Sequence, residues 1–141
     1  MNTLRVTYDG PQHATAVREP NHTSVAIDCP YTGKGEEFSP ASLLGISLAS
    51  CMLLSMGAIA QRHHLDLIGT VVDIKLAGMN KRVPHVDAIT MTFHIPHDFE
   101  KADREILEKA ACICPIMGSF CASTAITAAY EYADTEAALS G

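Results

Sequence analysis

The chain has 141 residues, 48% of them hydrophobic and 18% charged, and its formal net charge is −6. This length and apolar content predict one compact domain over residues 1–141, with a flexible tail from residue 133. No segment concentrates Lys and Arg, which argues against nucleic acid and anionic membrane surfaces as partners.

The N-terminal part of the sequence predicts a β-meander followed by a loop. Residues 4–8, 13–18 and 23–28 are rich in Val, Thr and Ile and are separated by turn-forming residues, whereas residues 29–38 read as a loop. The first eight residues contain no apolar segment typical of a secretory signal, so a cytoplasmic location is expected. In that reducing compartment, the five cysteines are expected to be thiols.

A long apolar helix follows the loop. Ser39 is a favourable N-cap and Pro40 a favourable first helical residue, and the pattern continues to Arg62 or His64. No charged residue occurs between Pro40 and Ala60, so a membrane span is one interpretation. The small and polar residues within the helix and the strands around it favour a buried helix instead. One subunit is too small to cover such a helix, which predicts an intertwined homodimer.

The second half of the sequence predicts two strands, two helices and a final strand. A turn at 80–84 joins the two strands, and an amphipathic pattern marks the first of the two helices, whereas Cys114-Pro115 opens the second. The predicted strands and first helix cover 67–78, 86–96, 100–112 and 124–132. The resulting order, βββ-α-ββ-αα-β, places the chain in the α+β class.

The cysteines are the candidates for chemistry, since a thiolate is the nucleophilic form. Cys51 lies about three turns inside the long helix, beyond the field of its terminus, and needs a cation. One guanidinium at about 4 Å supplies about 4 kcal/mol at an effective dielectric of about 20. Cys114 occupies an N-cap position, which predicts that it is the easier thiol to ionise. Three further cysteines are expected to be buried and inert: Cys29, Cys112 and Cys121.

Two cysteine motifs resemble those of a known family. In residues 38–51, a Pro-initiated helix carries Cys51 eleven positions after its proline, and in residues 107–116 a Cys-Pro-Ile segment opens a helix. The first motif is carried by Phe38, Ser39, Pro40, Leu43, Leu44, Gly45, Ser50 and Cys51. Together with residues 27–30, 33–35 and 69–71, they resemble the OsmC/Ohr family of thiol-dependent hydroperoxide reductases over residues 5–132.

The resemblance implies an OsmC-like α+β fold, an obligate homodimer and a peroxidase without metal or cofactor. Cys51 would attack an organic hydroperoxide and become a sulfenic acid, Cys114 would resolve it as a disulfide, and a dithiol would reduce that disulfide. An apolar pocket beside Met52, Leu54 and Ile116 would favour alkyl hydroperoxides over hydrogen peroxide.

The sequence departs from the family pattern at positions that help to ionise the first cysteine. Ala41 occupies a position that is Glu in peroxidase members, and Tyr31 lies near a position that is Arg in one branch. Other charged residues could reach the site from the meander or the loop: Arg5, Arg18, Lys34 and Glu37. The alternative function is a non-catalytic relative that binds a small apolar molecule in a cavity at the dimer interface.

Further residues have more ordinary interpretations. A zinc site built from Cys112, Cys114 and Cys121 does not have a standard ligand spacing. His63 and His64 are expected to cap the long helix, and His94 and His97 to be exposed near a strand end. Four methionines are interpreted as core residues: Met52, Met56, Met79 and Met91.

Overall fold

The computed structural model of the chain describes residues 3–78 and 85–133. The predicted turn at 80–84, Met79 and the tail beyond Ala133 lie outside the described residues. Two compact units make up the chain, Met1–Leu44 and Gly45–Gly141. The single domain predicted from the sequence stays a prediction.

The first unit contains an antiparallel sheet of three consecutive strands. They are β1 (Leu4–Gly10), β2 (His13–Arg18) and β3 (Thr23–Asp28), in the order β1-β2-β3, as predicted. The loop after β3 folds back on it, because Phe38 forms a parallel bridge with Ile27. The buried Asp28 carboxylate fixes this loop by accepting hydrogen bonds from the backbone N–H groups of Glu36 and Glu37, at 3.0 and 3.4 Å.

Helix α1 (Pro40–Arg62) begins and ends where the sequence predicts, and hydrogen bonds explain both ends. At its start, the Ser39 hydroxyl accepts the Ser42 N–H at 3.0 Å, and the Ser42 hydroxyl accepts the Ser39 N–H at 3.2 Å. This reciprocal pair is a capping box with serine in the second position. At its end, His64 adopts a left-handed φ of 55°, and Leu65 N–H reaches the Ala60 carbonyl at 2.8 Å. The helix therefore ends in a Schellman motif formed by backbone groups.

The second unit is built on a sheet of β4 (Val71–Ala77), β5 (Ala88–Ile95) and β6 (Ala125–Tyr132). Strand β4 starts four residues later than predicted, because Gly69 has a φ of 92° and Thr70 N–H closes a turn onto Leu67. Strands β4 and β5 are antiparallel. Strand β6 runs parallel to β5, because helix α2 (Lys101–Cys112) returns the chain to the end of the sheet at which β5 begins.

The core of the second unit joins three elements. Its largest fully buried side chains are Leu48, Met52, Met56, Ile89, Met91, Phe93, Ile95 and Leu107, which come from α1, β5 and α2. In α2, Leu107 and Ala111 are buried, and Ile106 and Ala110 are half-buried, as the amphipathic pattern predicts. Helix α1 also has an open face, on which Leu54 is 74% exposed.

Helix α1 has the length and composition of a membrane span, with 23 residues and a mean hydropathy of 2.0 over an 18-residue window. One third of that window, 33%, is buried within the chain. The core helix of a soluble protein has the same properties, so this helix by itself is weak support for a membrane location.

Candidate active site

Cys51 lies in the middle of α1, at the border of its buried stripe. The residue is half-buried, and its side chain packs against the core of the second unit. On the next turn, the Ser55 hydroxyl donates a hydrogen bond to the Cys51 carbonyl at 2.9 Å. Because the backbone at Cys51 is helical on both sides, the position of its thiol is fixed by the helix.

Cys114 lies in the segment that follows α2. The helix ends at Cys112, Ile113 is 71% exposed, and Cys114 turns inward so that only 5% of it is exposed. The Met117 N–H donates a hydrogen bond to the Cys114 sulfur at 3.2 Å. The hydrogen bond spans three residues, as at an N-cap, but the N-cap of the short helix that follows is Ile116 and not Cys114. The helix that follows is only one 3-10 turn, Met117–Ser119, and is shorter than predicted.

The structure brings the thiols of Cys51 and Cys114 together, and it reverses one expectation about them. Burial raises the pKa of Cys114; the Met117 N–H lowers it by less, and the neighbouring Cys51 thiol adds to the rise. The direction of this shift runs against the expectation that the position of Cys114 favours its thiolate. The backbone hydrogen bonds of Met117 and Ile116 do not offset the loss of water around the buried sulfur.

The described residues of the second unit supply no hydrogen-bonded cation for Cys51. Among its described residues, no Lys or Arg side chain forms a hydrogen bond with either sulfur. The nearest basic residue of α1, Arg62, is eleven positions from Cys51. The candidates named from the sequence, including Arg5 and Arg18, belong to the first unit, and their role stays a prediction.

The predicted substrate pocket stays a prediction, since a single chain does not bring its residues to one face. Met52 is fully buried in the core, whereas Leu54 is 74% exposed on the other side of the same helix. Residues two positions apart on a helix point in nearly opposite directions. Met52 and Leu54 therefore cannot line one cavity of a single chain.

The remaining cysteines differ from the expectation that they are buried. Cys112 and Cys121 are exposed, and Cys29 is half-buried. A hydrogen bond with the Thr32 side chain lowers the pKa of Cys29. Within residues 3–78 and 85–133, no group of three or more His, Cys, Asp or Glu side chains has an arrangement that could hold a metal ion.

A second group of polar side chains in this unit was not predicted from the sequence. His85 and Asp87 precede β5, Cys121 precedes β6, and the Cys121 sulfur lies 3.7 Å from the His85 ring nitrogen Nε2. The order strand–helix–strand predicts that the two strands pair in parallel and so begin at the same end of the sheet. This pattern is the signal in the sequence that could have placed these residues together.

Comparison with known proteins agrees with this geometry. The family model described as OsmC-like protein matches residues 33–129. No curated protein matches the chain significantly. Among solved structures, one from Psychrobacter arcticus 273-4 is described as an osmotic stress induced and detoxification response protein. It is 27% identical, with a TM-score of 0.86, and the match covers 93% of this chain and 96% of that one.

Two further structures share the fold at lower identity. The organic hydroperoxide resistance protein OsmC from Legionella pneumophila has a TM-score of 0.70 at 12% identity, with 93% of this chain and 96% of that one covered. The organic hydroperoxide resistance protein OhrB of Bacillus subtilis has a TM-score of 0.67 at 15% identity, with 92% and 98% covered. The α+β fold is thus that of the OsmC/Ohr proteins, and with a family model matching more than two thirds of its length, the chain belongs to the OsmC-like protein family.

Proposed function

We propose that the protein is a thiol-dependent peroxidase that reduces organic hydroperoxides through Cys51 and Cys114. The observation that carries the proposal is the meeting of these two thiols, which are 63 positions apart in the sequence, within one unit. Membership of the OsmC-like family and the fold shared with two organic hydroperoxide resistance proteins support it.

The proposed reaction has three steps. The Cys51 thiolate attacks the outer oxygen of the hydroperoxide, the O–O bond breaks, and the alkoxide leaves as the alcohol after taking a proton. The Cys114 sulfur then attacks the Cys51 sulfenic acid, forming a disulfide and releasing water. A dithiol donor reduces this disulfide by two thiol exchanges. Because burial raises the pKa of Cys114, the thiol proton leaves with the hydroxyl group as water.

The two segments differ in how regularly their backbones are hydrogen-bonded, which supports these roles. Cys51 is held within a helix of 23 residues, so its sulfur can shift little. Cys114 lies between an exposed Ile113 and a single 3-10 turn, where the backbone has fewer hydrogen bonds to break. A disulfide needs Cα atoms about 4.4–6.8 Å apart, and we expect the Cys114 segment to make that movement.

We also propose that the protein is a cytoplasmic homodimer. Apolar side chains are left exposed in both units, among them Leu4, Val6 and Tyr8 of β1 and Leu54 of α1. A second copy would cover such surfaces, and an obligate dimer of this kind buries roughly 2,000 Å² or more in total. Sedimentation at micromolar concentration is expected to show a dimer, and a monomer would contradict the proposal.

The mechanism is tested by counting thiols after addition of one equivalent of an organic hydroperoxide. Two thiols per chain are expected to disappear, and peptide mapping is expected to link Cys51 to Cys114. In Cys51→Ser the link should be lost, whereas in Cys114→Ser a dimedone-reactive sulfenic acid should accumulate at Cys51. Cys112→Ser is the matched control and should behave as the unchanged protein. A link to Cys112 or Cys121 would disprove the assignment of the resolving residue.

A second candidate function is a non-catalytic OsmC-like protein that binds a small apolar ligand at the dimer interface. The raised pKa of Cys114 and the departures at Ala41 and Tyr31 favour this candidate, because they leave the thiol pair without a recognised activating group. If no thiol is lost on addition of hydroperoxide, this candidate replaces the peroxidase.

A further inference from the structure

A second cysteine site lies at the end of the sheet where strands β5 and β6 begin. The Cys121 sulfur is 3.0 Å from the Ser123 hydroxyl, and 3.7 Å from both the Thr124 hydroxyl and the His85 Nε2. The Ser123 hydroxyl also lies 2.9 Å from His85 Nε2. On the other side of the ring, His85 Nδ1 is 3.0 Å from the Asp87 carboxylate. The order of groups is therefore thiol, imidazole, carboxylate, with a hydroxyl between the first two.

The parallel register of β5 and β6 holds this group together. Ala88 pairs with Ala125, so the residues just before each strand are neighbours. The Ala125 N–H donates a hydrogen bond to the Asp87 carbonyl at 2.7 Å, and the Thr124 hydroxyl donates one to the Val86 carbonyl at 2.8 Å. These two bonds fix the segment that carries Cys121 against the segment that carries His85.

A glycine makes room for the carboxylate. Gly78 has a φ of 92°, and a Cβ atom at this position would lie 2.3 Å from the Asp87 carboxylate. Strand β4 therefore comes close to Asp87 only because residue 78 has no side chain. The site is a specific arrangement of three segments, those before β5 and β6 and the one after β4.

Cys121 and His85 shift each other's pKa in opposite directions. Hydrogen bonds with Ser123, His85 and Thr124, in that order, lower the pKa of Cys121 to about 6. Hydrogen bonds with Cys121 and then Asp87 raise the pKa of His85, against a smaller effect of desolvation. Both shifts favour a proton on the imidazole and a negative charge on the sulfur, which is the activated form of a cysteine nucleophile.

We propose that Cys121 is a second nucleophilic thiol, independent of the Cys51–Cys114 pair, and that it forms mixed disulfides with low-molecular-weight disulfides. The Cys121 thiolate attacks one sulfur of the small disulfide, a new S–S bond forms, and the old S–S bond breaks. The leaving thiolate takes the proton of the His85 imidazolium and departs as a thiol. No other oxidant is required, because the small disulfide accepts both electrons.

The exposure of Cys121 determines which class of molecule can react with its thiolate. Cys121 is exposed and the described side chains around it are small or polar, so nothing in this part of the structure would hold a large apolar substrate. A small disulfide needs only access to the sulfur and a proton for its leaving group. The sulfur of Cys121 is accessible, and the His85–Asp87 pair provides the proton for the leaving thiolate.

Thiol acidity predicts a distinctive pH dependence. At pH 6 a thiol of pKa about 6 is about half ionised, whereas an ordinary thiol of pKa about 8.5 is about 0.3% ionised. The more acidic thiolate is less nucleophilic by about 13-fold, for a Brønsted coefficient of about 0.45. The activated thiol is therefore about tenfold faster at pH 6 and about tenfold slower at pH 9, where both are mostly ionised.

The test follows mixed-disulfide formation at each cysteine of the full-length protein with bis(2-hydroxyethyl) disulfide. This reagent is uncharged, and peptide mass spectrometry separates Cys121 from Cys112, the exposed internal reference. The rate at Cys121 should reach half its maximum near pH 6. In His85→Asn, whose shorter side chain cannot reach the sulfur, the rate should fall at pH 6 and rise at pH 9, by less than about tenfold in each case, because the hydrogen bonds of Ser123 and Thr124 to the sulfur remain.

Two further variants complete the design. His97→Asn changes a histidine of the same unit whose ring contacts the Ile68 carbonyl, and it should leave the Cys121 profile unchanged. Cys51→Ser should also leave it unchanged, which separates this site from the proposed peroxidase. A Cys121 rate that rises only above pH 8 in the unchanged protein, or that never exceeds background while Cys112 reacts, would overturn the proposal, and neither result depends on a variant folding.

Discussion

Cys114 and Cys121 are seven positions apart in the sequence, yet their surroundings act on their thiols in opposite ways. Cys114 is 5% exposed, and burial raises its pKa. Cys121 is exposed, and hydrogen bonds with Ser123, His85 and Thr124 lower its pKa to about 6. Both sulfurs have a nearby hydrogen-bond donor, so the presence of one donor does not decide the outcome.

The difference lies in what replaces water around the sulfur. At Cys114, the backbone N–H groups of Met117 and Ile116 replace a hydration shell, and a second thiol lies beside the sulfur. At Cys121, water still has access, and an imidazole can hold the proton that the thiol releases. A buried thiol is suited to react with a partner held beside it, whereas an exposed thiolate is suited to react with molecules from solution.

The largest expected effect is on turnover of a hydroperoxide, which distinguishes the Cys51–Cys114 pair from Cys121. Cys51→Ser should lower turnover of an organic hydroperoxide at least 1,000-fold, about 4 kcal/mol in activation free energy, because the oxygen acceptor is removed. A coupled assay with a dithiol donor measures it, with Cys112→Ser as the control. Retained turnover in Cys51→Ser would move the peroxide chemistry to another thiol, with the exposed Cys121 as the first to examine.

The next effect concerns the support of the exposed site. Gly78→Ala should destabilise the fold by about 2 kcal/mol or more, since it combines an unfavourable φ with a contact against the Asp87 carboxylate. Urea unfolding measures this change. Gly118→Ala is the matched control, because a Cβ there meets nothing within 4 Å, and it should have little effect. Equal stability of the two variants would show that Asp87 does not depend on Gly78.

A smaller difference is expected between the free energies of unfolding of Cys114→Ser and Cys121→Ser. Cys114→Ser should lower the free energy of unfolding by about 1–2 kcal/mol, because it buries a more polar group whose oxygen keeps only the Met117 N–H. Cys121→Ser replaces an exposed side chain and should leave the unfolding curve unchanged within error. A larger loss for Cys121→Ser would mean that its cluster supports the fold.

The smallest expected effect is electrostatic. Asp87 is the second cause of the raised His85 pKa, after Cys121, so Asp87→Asn should lower the His85 pKa. A less basic imidazole stabilises the thiolate less, and the midpoint for reaction of Cys121 should therefore rise. This rise should be smaller than in His85→Asn, which removes the imidazole itself. An equal rise in both variants would mean that the carboxylate, and not the ring, controls the thiol.

The sequence predicted the elements of this fold because their signals are local. Ser39 and Pro40 mark the start of α1, and the alternating pattern of residues 23–28 marks β3, without information from the rest of the chain. The same is true of the hydrogen bond to the Cys114 sulfur, whose donor, Met117, is three residues away. The length of the following helix was overestimated, because residues 115–120 show no amphipathic period that would limit it.

What the sequence by itself determined is the family and the order of elements, since their signals are short and local, and it predicted Cys51 and Cys114 as the reactive pair. Only the tertiary structure decided how acidic each thiol is. The burial of Cys114 depends on packing with a core drawn from α1, β5 and α2, and the meeting of Cys121 with His85 depends on the parallel pairing of β5 and β6. A pKa responds to groups within a few ångströms in space, and these groups come from segments 36 positions apart in the chain.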